Sequence, residues 1–127
     1  MTPEVPAVLA ELAALAMKNA DPAVPPAERS SDLMLGAMLL MMAAETWDRQ
    51  AHILVEENRA VRGLLGEAGE DADLRLSVLA AENRRLRARL IERHAEAETA
   101  GEAALCDAIW AELAASTERR RISSGPV

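Results

Sequence analysis

The sequence has no phenylalanine and no tyrosine, and its tryptophans are two, Trp47 and Trp110. β-Branched and aromatic side chains favour strands, so this scarcity argues against a sheet. Cysteine occurs once, at Cys106, which excludes an internal disulfide and fits a reducing cytoplasm. Of 14 Lys and Arg residues only Lys18 is a lysine. Arg codons are GC-rich and Lys codons are not, so the bias suggests a bacterial source. No basic segment leads into an apolar core near the start, so no signal peptide is expected. The longest unbroken apolar run, Leu33 to Ala44, is twelve residues. A membrane span needs about 20, so this run reads as a buried helix segment.

What is present is helix-forming. Half of the 127 residues are apolar, mostly Ala, Leu and Met, with abundant Glu and Arg. These favour helix, and the chain is expected to be all-α, a single helical domain of residues 1–127. A net charge of −7 repels a polyanion, which argues against general nucleic-acid binding.

Along the chain, apolar spacing predicts helix 1 over 6–19, followed by a proline-rich connector over 20–30. Helix 2 is expected over 31–65, with Ser31 or Asp32 as its N-cap. A turn rich in Gly and acids follows at 66–72, and Asp71 or Asp73 is expected to cap helix 3 over 73–98. Gly101 then breaks or kinks the chain before a fourth helical stretch at 102–119. Residues 120–127 read as a disordered tail.

One pattern is written twice. "LVEENRAVRGLL" begins at Leu54 and "LAAENRRLRARL" at Leu79. Around the first copy, Leu33, Ala37, Leu40, Ala44, Trp47, Ala51, Leu54, Asn58, Val61 and Leu65 alternate spacings of four and three. This is a coiled-coil seam. Asn58 and Asn83 occupy equivalent core positions, where an amide costs stability but penalises registers that leave it unpaired.

Two pairings satisfy the charges. Each copy can pair in parallel with its counterpart in another chain, or helix 3 can fold back on helix 2. Gly63, Gly66 and Gly69 favour the hairpin, since each costs an uninterrupted helix about 1 kcal/mol relative to Ala. The antiparallel register in which paired numbers sum to 144 brings the Asn layers together. It also puts Glu57 near Arg89 and Asp48 near His94. The expected architecture is therefore a helical bundle built around a long antiparallel hairpin. Such a hairpin buries one stripe of helix 2. Leu35, Met38, Leu39 and Met42 then need other cover, and together with Trp47 they are the expected interface of a homodimer.

Candidate sites are few. Met34, Met38 and Met41 at i, i+4 and i+7 could in principle hold Cu(I), but this spacing suits a core or interface better. Glu45, Asp48, His52 and His94 could bind a divalent ion, yet the paired Glu-x-x-His motif of diiron bundles is missing. The Arg84–Arg93 segment is locally basic but has no aromatic residue beside it to stack a base, so its arginines are expected to pair with neighbouring acids. Cys106 and Trp110 share a helix face, and the thiol reads as a small core side chain. Ser123 follows a basic run of a kind some kinases prefer.

The residues favour a small non-enzymatic helical interaction protein that pairs with itself and presents a charged hairpin arm to another protein. No cofactor is implied. Two alternatives stay open at this point. One is a metal- or ligand-binding bundle, enzymatic or not, using Glu45, Asp48, His52 and His94. The other is nucleic-acid binding through Arg84–Arg93.

Overall fold

The computed structural model describes residues 4–123, and these are all-helical, with no strand among them. The helices are α1 (Val5–Asn19), α2 (Pro26–Leu65), α3 (Leu76–Ala100) and α4 (Ala103–Arg119).

α2 starts at Pro26, upstream of the expected Ser31 or Asp32. The connector accordingly shrinks to residues 20–25. Prolines break helices by lacking an N–H, but at the first helical position that N–H has no partner anyway. The helix opens with the Arg29 amide donating to the Pro25 carbonyl at 3.0 Å. Asp32 is thus no cap. It accepts from Lys18 Nζ at 3.0 Å and Asn19 Nδ2 at 2.9 Å.

α2 ends as the glycines require, though only one of the first two acts. Gly63 is inside the helix without a positive φ, whereas Gly66 is left-handed at φ 68°. The Glu67 amide reaches the Arg62 carbonyl at 3.0 Å and the Gly66 amide reaches Gly63 at 3.3 Å. This pair of bonds satisfies the last carbonyls and stops the helix. Gly101, at φ 71°, repeats the device, with Glu102 to Ala97 at 2.9 Å and Gly101 to Glu98 at 3.3 Å. α3 and α4 are therefore separate helices.

α3 begins at Leu76 rather than Asp73, and neither expected acid caps it. Asp73 turns instead to Arg75, accepting from its backbone N at 3.0 Å and from its guanidinium. Asp71 accepts from Asn58 and Arg62 on α2.

The chain forms two compact units, one running to Arg49 with Ile122 and Ser123, the other spanning Gln50–Arg121. In the first, α1 lies antiparallel along the start of α2. Its Lys18 and Asn19 reach Asp32, and Leu12 Cδ2 comes within 3.5 Å of where a Cβ on Gly36 would sit. Val5, Val8, Ala43 and Thr46 are buried here. The second unit packs the rest of α2 against α3 and α4. Val61, Leu86, Leu90 and Ile109 form its core, flanked by Leu64, Leu65, Leu105 and Leu113. Of the expected tail, Arg120 and Ser123 are held by carboxylates, Glu57 and Glu45. Residues 124–127 lie outside the described part.

Candidate interaction surface

The doubled motif explains the hairpin of the second unit. Asn83 Nδ2 donates to Asn58 Oδ1 at 3.0 Å, so the two amides meet. Around them the copies exchange ion pairs. Arg87 of the second copy, the counterpart of Arg62 in the first, donates to Glu57 of the first at 3.1 Å. Arg62, the last arginine of the first, donates to Glu82 of the second at 3.0 Å. Both pairs sum to 144 in residue number and run in opposite directions, so α2 and α3 are antiparallel here. Leu54 with Leu79, and Val61 with Leu86, are buried in matching places. Each copy thus supplies the other's partners.

The two ends of this exchange are finished differently. At the Glu57 end α4 closes over the carboxylate, which has no solvent exposure. Glu57 accepts from Arg120 Nε at 2.7 Å and Nη2 at 2.5 Å, Ser116 Oγ at 2.7 Å, Arg87 Nη2 at 3.1 Å and Asn83 Nδ2 at 3.2 Å. Burial pushes its pKa up, but the bonds from Arg120 and Ser116, the charge of Arg120 and the bond from Arg87 outweigh it and hold the carboxyl at about 2. The Glu57–Arg89 pair expected from the sequence gives way to this one, because Arg87 and Arg120 flank Glu57. At the other end Arg62 also binds Asp71 at 2.8 Å. Glu82 is held at about 2 by its bond from Arg85, against partial burial, with Arg62 adding to the effect.

These contacts account for most of the basic segment. Arg85 pairs with Glu67 and Glu82, Arg87 with Glu57, and Arg93 with Glu102 at 2.6 Å. Arg84 and Arg89 are exposed.

The acid and histidine set does not assemble. No group of three or more His, Cys, Asp or Glu able to hold a metal occurs among the described residues. Glu45 is taken by Arg49 at 2.8 Å and by the Ser123 amide and hydroxyl, both at 2.9 Å. Asp48 and His52 are exposed. His94 stacks edge-on to Trp110 with centroids 5.6 Å apart, and its Nε2 lies 3.6 Å from Glu98. Cys106 is a free thiol, half-buried on α4. No helix among the described residues is long and apolar enough to cross a membrane.

The seam of α2 has two fates. Its later half, Leu54, Asn58 and Val61, is buried. Its earlier half is open: Leu33 is 64% exposed, Leu40 54% and Trp47 64%. Ala37 and Ala44, between them on the same stripe, are exposed too. The hairpin was expected to bury this stripe, but the face of early α2 that is buried lies to one side of it, through Ala43 and Thr46. Met34 and Met41 flank the open stripe and are also exposed. Of the interface residues expected from the sequence, Leu35, Met38 and Trp47 are exposed, and Leu39 and Met42 are half-buried. Beside the stripe runs an apolar groove of about 260 Å³, walled by Leu12, Leu15 and Ala16 of α1 and by Leu33, Ala37 and Leu40 of α2.

Sequence reading missed the roles of Ser116 and Arg120. Ser116 reads as an ordinary polar position of the fourth helical stretch and Arg120 as the first residue of the expected tail, and only the approach of α4 joins them to Glu57. A weak signal was there: both motif copies place a Glu directly before the core Asn, beside the seam.

The fold is an all-α helical bundle. No family model, no curated protein and no solved structure matches the chain.

Proposed function

We propose that the chain is a small non-enzymatic interaction protein that acts as a homodimer, pairing through the early half of α2 and presenting the charged α2–α3 hairpin to another protein. The observation that carries this reading is the open half-seam. Leu33, Leu40 and Trp47 keep coiled-coil spacing with Ala37 and Ala44, yet stand in solvent. Burying a Leu or Met side chain gains about 1.5–3 kcal/mol, and contiguous apolar surface of this kind marks an interface. The exposed parts of Leu33, Met34, Leu40, Met41 and Trp47 amount to on the order of 600 Å² per copy. A standard interface takes about 800 Å² from each partner. The single free Cys106 supports a reducing, cytoplasmic setting.

The test is sedimentation equilibrium of the wild type and of Leu40→Asp. The wild type is expected at twice the 13.7 kDa chain mass. The variant is expected as a monomer with unchanged helical circular dichroism, since Leu40 is exposed and the substitution empties no core. A wild type that stays monomeric at tens of micromolar overturns the reading.

A further inference from the structure

From the size pattern of the open stripe we infer that the second copy lies antiparallel, with its Trp47 seated in the groove over Ala37. This rests on the self-association proposed above and adds the geometry of the pair.

Along the stripe large and small residues alternate strictly: Leu33, Ala37, Leu40, Ala44, Trp47. In a parallel pair each position faces its own copy. Trp47 would meet Trp47 and Leu40 would meet Leu40, while the Ala37 and Ala44 layers between them would face each other across a gap. Large layers hold the helices apart, so the small layers become cavities, which destabilise. In an antiparallel pair the two seam positions face one another instead. With paired numbers summing to 84, Leu40 falls against Ala44 of the second copy and Trp47 against Ala37. Every layer then holds one large and one small side chain, as interdigitated packing requires. The contact is also two-fold symmetric, so both copies use the same surface and the assembly closes as a dimer.

The groove fits the same register. Ala37 lines it, and having only a Cβ leaves room above that position. At about 260 Å³ the groove is large enough for a side chain but not for a helix. Trp47 is 64% exposed, the largest side chain on the stripe, and brings the apolar area needed to fill such a space. Two groups at the groove's end, Asn19 and Asp32, are already bonded to each other at 2.9 Å, so the apolar walls are what an incoming indole meets. On the open flank, Met41 faces Met41 of the second copy across the two-fold axis and Met34 lies beside Asp48 of that copy.

The experiment uses the full chain carrying Cys106→Ser. Met34→Cys and Asp48→Cys variants are prepared separately and treated with a short bis-maleimide, alone and as an equimolar mixture. Antiparallel pairing is expected to give cross-linked dimer in the mixture and almost none from either variant alone. In that arrangement like positions are offset by about 21 Å along the axis, four helical turns. Cross-linking of each variant with itself shows a parallel dimer and overturns the inference while leaving self-association standing. Absence of any dimer by sedimentation overturns self-association itself.

The groove is tested in a Trp110→Phe chain, where Trp47 alone emits. Its emission is expected to shift to shorter wavelength as concentration drives pairing. Ala37→Glu, at an exposed helical position, is expected to abolish that shift and to weaken association by about tenfold or more, because a carboxylate would be buried against the indole. A shift that survives Ala37→Glu places Trp47 elsewhere and overturns the seating in the groove.

Discussion

Glu57 is the buried carboxylate on which α2, α3 and α4 of the second unit converge, and Glu57→Gln tests what it contributes. The wild-type carboxyl is fully buried, accepts from Arg120, Ser116, Arg87 and Asn83, and is held at about 2 against an ordinary value of 4.5. A carboxyl whose pKa is lower in the folded than in the unfolded chain stabilises the fold fully above its unfolded value. That contribution fades as pH falls through the folded value. The shift corresponds to about 3 kcal/mol at pH 7, falling to about 1 kcal/mol at pH 3 and vanishing below pH 2. Glutamine keeps the shape but loses the charge that two guanidiniums require, and breaking a buried ion pair costs about 3–5 kcal/mol by comparison with other proteins. The assay is urea unfolding in a Trp47→Phe background, so that Trp110, in the same unit, reports. Glu57→Gln is expected to be about 3 kcal/mol less stable at pH 7, with the gap narrowing between pH 4.5 and pH 2. A difference under about 1 kcal/mol at pH 7, or one that does not change with pH, would refute the claim that ionised Glu57 holds the unit together.

Other substitutions separate neighbouring effects. Asn83→Ala removes the amide bond to Asn58 together with the donor to Glu57, and should cost about 1–3 kcal/mol. Combined with Asn58→Ala in a double-mutant cycle it should show a coupling of about 0.5–3 kcal/mol, and a coupling near zero would mean the amide pair is incidental. Gly101→Ala should destabilise by about 1–2 kcal/mol, because φ 71° is left-handed while open space around the position removes any steric term. Gly63→Ala should do the reverse and stabilise by about 0.5–1 kcal/mol, because Gly63 is helical with nothing within 4 Å of its added Cβ. Thermal melts followed at 222 nm compare the two glycine variants directly.

Local chemistry wrote much of this protein plainly. The scarcity of aromatic and β-branched residues together with the Ala, Leu and Glu content implied helices, and left-handed Gly66 and Gly101 end two of them as their positions suggested. The doubled Glu-Asn-Arg motif implied a hairpin with facing amides, because an amide in an apolar seam tolerates few alternatives. Those inferences depend on a residue's own backbone preference or on periodic spacing, and both can be read from one strand of text. The start of α2 was misread because proline's effect depends on position, and Pro26 sits where a missing N–H costs nothing. What only the tertiary structure decided is which side chains meet across long separations. Arg120 and Ser116 reach Glu57 from about sixty positions away because α4 folds over the hairpin. The same folding buries one half of a uniform seam and leaves Leu33, Leu40 and Trp47 in water. Spacing alone could not distinguish the halves, since burial depends on which neighbour arrives, and nothing in a helix's own sequence specifies that.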